Sequence, residues 1–120
     1  MNEPQKNYKL QADQIKPLAE GYGACFATDF ITVQGQKIGY MYREEPDEED
    51  DSGWRFMAGH ETQDYMDDVQ NIDLYDVNTI ANYDPDIIPF LEAPYETAFE
   101  RDETTGEFVE VDFDAFEDDE

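Results

Sequence analysis

Apolar residues in this chain fall in short runs separated by polar and acidic stretches, with no long helical stripe. Runs of this length, rich in aromatic and branched side chains, read as strands. Residues 24–28 (ACFAT) predict a buried strand, and residues 29–33 its continuation or a second short one. Gln34-Gly35-Gln36 has turn chemistry, so a hairpin through Gly35 is expected to lead into a strand over residues 37–42. The runs 38–42 (IGYMY) and 54–58 (WRFMA) predict neighbouring strands joined by an acidic excursion that carries Pro46 and Gly53.

The second half alternates helix and strand signals. Tyr65, Met66 and Val69 have helical spacing, which predicts a short amphipathic helix within residues 61–70, and residues 71–76 read as extended. Asp76 or Asn78 is placed to cap a helix running to Tyr83. Asp84-Pro85 then starts another, with Ile87, Ile88 and Leu91 directed inward and Pro89 keeping it short. Residues 96–101 and 107–111 form a hairpin around Thr104-Thr105-Gly106. Near the start, residues 13–19 allow one or two helical turns before Pro17 interferes. The expected fold is α+β: a small antiparallel sheet of about five strands with short helices packed on one face. A flexible arm (residues 1–9), a single domain (10–111) and an acidic tail (112–120) complete the organisation, a reasonable division for 120 residues.

Charge changes this picture more than composition does. The net charge is −25, and it is unevenly placed. Over residues 1–42 four lysines balance four acids, so the whole excess comes from residues 43–120. Its densest part is the loop with Glu44, Glu45, Asp47, Glu48, Glu49, Asp50 and Asp51, bounded by Arg43 and Arg55. Carboxylates this close repel one another and must face water or a cation. Such a chain is repelled by nucleic acid and by anionic membranes, because it cannot neutralise phosphates. Basic protein partners, divalent cations or plain solubility suit it.

Candidate chemistry is sparse. A calcium-loop register beginning at Glu48 puts Gly59 where the bidentate Glu should stand, and the flanks read as strands. One histidine (His60) and one cysteine (Cys25) make no zinc site or catalytic pair, and no phosphate-cradling glycine loop is present. No enzymatic activity, metal or cofactor is expected. The N-terminus lacks the apolar core of a signal peptide, and no run approaches a membrane span, so a cytoplasmic location is expected. Trp54 reads first as a core residue and second as an interface anchor. Asn78, Asn82, Tyr83 and Asp84 read first as capping and turn residues and second as a binding surface.

Residues 38–44, Asp51-Ser-Gly-Trp-Arg-Phe56, Tyr65-Met-Asp67 and Asn78-Thr-Ile-Ala-Asn-Tyr-Asp-Pro85 followed by Ile87-Ile-Pro89 together resemble the immunity protein 33 family of bacterial polymorphic toxin systems. The resemblance covers roughly residues 20–111 and implies an α+β domain that neutralises a toxin without catalysis. The partner it implies is a protein toxin domain; the acidity of the chain gives that toxin a basic surface. The candidate contact residues are the seven loop acids, Trp54, Asn78, Asn82, Tyr83 and Asp84. An acidic cation-binding module and a regulatory adaptor are the competing readings.

Overall fold

The computed structural model describes residues 8–46 and 48–112. Among these residues six strands form one sheet: β1 (Ala24–Thr28), β2 (Tyr40–Arg43), β3 (Asp51–Met57), β4 (Ile72–Asp76), β5 (Thr97–Arg101) and β6 (Phe108–Val111). Their spatial order is β4-β1-β3-β2-β5-β6. The α+β expectation holds, with six strands instead of about five. Every pairing is antiparallel except that of β1 with β3, which run parallel in the middle of the sheet. The anticipated β5–β6 hairpin is present, as is the pairing of β2 with β3 across the acidic loop.

The hairpin through Gly35 is corrected. After β1 the chain turns into α1 (Asp29–Thr32), and β3 inserts between β1 and β2. The Val33 and Gln34 amides bond to the Asp29 carbonyl and the Gly35 amide to that of Ile31. Gly35, at φ +76°, therefore closes a helical turn instead of a hairpin. The residues Asp-Phe-Ile-Thr favour a strand by propensity, yet burial of Ile31 and Thr32 decides the conformation.

The pleat gives the sheet two unlike faces. One carries Cys25, Ala27, Met41, Trp54, Phe56, Phe99 and Phe108, all buried. It is covered by Ile31 of α1, by Val77, Ile80 and Ala81 of α3 (Val77–Tyr83), and by Ile87 and Leu91 around a 3-10 helix at Pro85–Phe90. Trp54 lies at the centre, stacked on Phe56, with its indole N–H donating to the Leu91 carbonyl at 3.1 Å. Asp84 caps the 3-10 helix as expected, accepting from the Asp86 amide. The helix expected within residues 61–70 is shorter than the pattern suggests: α2 (Gln63–Asp67), then a 3-10 turn at Val69–Asn71. Thr62 caps α2 by accepting from the Tyr65 amide.

The N-terminal segment forms only a 3-10 turn, Ala12–Gln14, instead of helical turns over residues 13–19. Its amides have other partners. Asn78 Oδ1 accepts from the Leu18 and Ala19 amides at 2.7 Å each, and Asn82 Oδ1 from the Lys16 amide at 2.9 Å. The Asn78 and Asn82 amide groups both donate to the Lys16 carbonyl, and the Tyr83 hydroxyl accepts from the Leu10 amide. Most of the expected arm and all but the first residue of the expected tail lie outside the described residues.

Trp54→Ala removes the side chain that joins both layers and leaves the Leu91 carbonyl only its 3.5 Å contact from Arg43. The expected loss is roughly 3–5 kcal/mol, measured as a fall in the urea midpoint with little change in slope. A loss below about 1 kcal/mol contradicts the central position of this indole.

Candidate functional site

The opposite face of the sheet is open on its β4–β1 side, while Thr28, Met57 and Ala98 on the same face are buried. Register places one residue from each strand in a row across it: Leu74, Phe26, Arg55, Tyr42, Ala98 and Val111. Beside this row, Met57 stands next to Tyr40, and Ile72 next to Thr28. Met66 of α2 and Val69 form a wall, enclosing a groove of about 400 Å³ whose lining includes Phe26, Tyr42, Glu44 and Arg55. Large apolar side chains are left in water here: Phe26 is 37% exposed, Leu74 56% and Val69 82%.

Arg55 is the polar centre of this face. Its Nε donates to Glu44 Oε2 at 2.7 Å, while its two terminal nitrogens donate to the two oxygens of Asp51 at 2.9 Å each. The guanidinium also lies over the Phe26 ring, 4.7 Å from its centroid. Burial alone would lower the Arg55 pKa, but the two carboxylates raise it, so the side chain stays charged. Asp51 is held below the usual carboxylate value, first by the hydrogen bonds from Arg55, against the opposing effect of burial; the Gly53 amide adds to the lowering. Burial, and after it the Glu44 charge, pushes the Tyr42 phenol up to about 12, which keeps it neutral. Gly53 makes the geometry attainable: at φ +91° it lets β3 pass so close to the Glu44 carbonyl that a Cβ would collide with it.

Residues 25–112, spanning the six strands from the second residue of β1 to just past β6, match the Immunity protein Imm33 domain. The chain belongs to the Imm33 family. No curated protein and no solved structure matches it. An immunity domain implies a toxin protein as partner, and the matched span contains the whole open face apart from Ala24 at its end.

Within this Imm33 domain the candidate contact residues divide sharply. Glu45, Glu48, Glu49 and Asp50 are exposed on the loop between β2 and β3, and Asp47 lies outside the described residues. Glu44 and Asp51 bound the same loop but are committed to Arg55. Trp54 is fully buried and is no surface anchor. Asn78 is buried, and with Asn82 and Tyr83 it ties the N-terminal segment to α3. Asp84 is fully buried as well, accepting from the Ile38 amide at 3.0 Å and from Arg101 at 2.6 Å. That motif is a structural tie between elements.

Phe26, Leu74, Tyr42 and Arg55 were not among the sequence candidates. Phe26 sits in a continuously apolar run that reads as buried on both sides. The available signal was the alternation Ile72-Asp73-Leu74, which marks one apolar face of an edge strand. Among the described residues no group of three His, Cys, Asp or Glu side chains could hold a metal ion, and no helix is long and apolar enough to cross a membrane.

Because the Asp51 pKa is lower in the folded state, its stabilising contribution is complete above the unfolded value of about 4 and is lost as pH falls through the lower folded value. Wild type should therefore exceed Asp51→Asn in stability at pH 7, with the gap closing below about pH 4. Urea titrations from pH 7 to 2.5 measure this; a gap independent of pH contradicts the Arg55 pairing as its source.

Proposed function

We propose that this Imm33 protein neutralises its toxin by binding alone, and that its acidic surface steers the encounter. The observation that carries the reading is the exposed run Glu45, Glu48, Glu49 and Asp50, held beside the open face in a chain of net charge −25. A field of that sign favours a toxin with a cationic surface, and toxins that act on phosphate-rich substrates need one; a nuclease is the natural example. Charge complementarity of this kind raises association rates more than it lengthens residence. Binding in the cytoplasm, where such a substrate is found, fits the same reading.

The probe is whichever toxin domain the genes flanking this chain's are found to encode, with binding followed by surface plasmon resonance. Raising salt from about 50 mM to 0.5 M shortens the Debye length severalfold, and the association rate should fall at least about tenfold. A variant with Glu45→Gln, Glu48→Gln, Glu49→Gln and Asp50→Asn should melt no earlier than wild type. It should associate more slowly and dissociate at nearly the wild-type rate. A salt-insensitive association rate would remove steering from the account.

A further inference from the structure

Steering brings the toxin near but does not seat it. We infer that the toxin docks on the open sheet face, placing an apolar side chain among Phe26, Val69 and Leu74 and a lysine or arginine against Glu44. This inference rests on the toxin-binding reading and adds the surface and the chemistry of the contact.

Two features of the face specify its occupant. The first is uncovered apolar area: Phe26 lines the groove with Val69 on its far wall, and Leu74, just outside it, is the cross-strand neighbour of Phe26. Apolar side chains grouped at a groove and rimmed by polar residues mark a binding surface on a monomer. The second is charge. Glu44 and Asp51 together outnumber the single guanidinium of Arg55, so the centre of the groove keeps one net negative charge. Asp51 is closed off by its bidentate contact, whereas the Glu44 side chain is 44% exposed. Only Oε2 of Glu44 is bonded to Arg55, and among the described residues Oε1 has no partner. Glu100, across from Tyr40 on the same face, adds a further carboxylate. A cation with an adjacent apolar group fits this combination, and Arg55, fixed by two carboxylates and the Phe26 ring, needs no reordering to receive it.

The same charge argues against a second copy as occupant. A twofold contact through this face would bring two Glu44–Asp51 clusters together between chains of net charge −25 each. The sheet's other face is closed by the core, so it offers no equivalent groove.

The test uses the full chain and the same toxin domain. Phe26→Ser with Leu74→Ser should fold, since both side chains are substantially exposed, and should weaken binding about 30-fold, chiefly by faster dissociation. Glu44→Gln should cost about tenfold and reduce the salt dependence of the affinity. If the double variant melts early, Val69→Ser, at the most exposed position of the groove, takes its place and should weaken binding by about fivefold. A folded face variant that binds within twofold of wild type overturns the inference while leaving the immunity reading intact. Failure of wild type to bind this toxin removes both. One further result would assign the face to another occupant and overturn the inference: a wild-type dimer in sedimentation that Phe26→Ser with Leu74→Ser disperses.

Discussion

The alternation of side chains along β3 organises both halves of this protein. Trp54 and Phe56 point into the core, while Arg55 and Met57 point to the open face, and the strand lies between β1 and β2 in the middle of the sheet. A slip of one residue in register would exchange the two sets, putting an arginine in the core and an indole in water. Gly53 and the change in β1–β3 register between Ala24 and Phe26 set that alternation at the start of the strand. Arg55 is tolerable in a half-buried position because three hydrogen bonds to two carboxylates compensate its lost hydration.

The polar residues that look most functional in the sequence hold elements together. Asp84 accepts from the Ile38 amide, the Asp86 amide and Arg101, and Arg101 in turn donates to the Ile38 carbonyl. One buried carboxylate thereby joins the approach to β2, the 3-10 helix and β5. Arg43 plays the matching part at the other end of β2. It turns away from the acidic loop, lies over the Trp54 and Tyr95 rings, and donates to the carbonyls of Ser52 and Ala93. Asn78 and Asn82 do the same for residues 16–19. The dense polar motif over residues 78–84 is the interior wiring of a small domain, where few apolar contacts are available to fix loops.

Much of the fold was legible because its signals are local. The caps at Asp84, the β5–β6 turn and the aromatic runs of β2 and β3 each announce themselves within a few residues. The parallel pairing of β1 with β3 depends on contacts far apart in sequence, and the strand-prone residues 29–32 become helical only because Ile31 is needed in the core. Family membership was visible for a different reason: several short motifs keep a fixed order along the chain. The open face was not visible, since Phe26 resembles any buried strand residue until its neighbours in space are known. The acidic loop was conspicuous, but its division into exposed acids and an Arg55 clamp required coordinates.

In this account one face of the sheet builds the protein and the other meets the toxin, with loop acids drawing the partner in. Amide hydrogen exchange of the full chain, with and without the toxin domain that it binds, tests this division most directly. The expected footprint is slowed exchange in β1, β4, residues 54–57 of β3 and the residue 44–51 loop, with α3 unchanged. Protection confined to residues 77–84, with β1 and β4 unaffected, would contradict it.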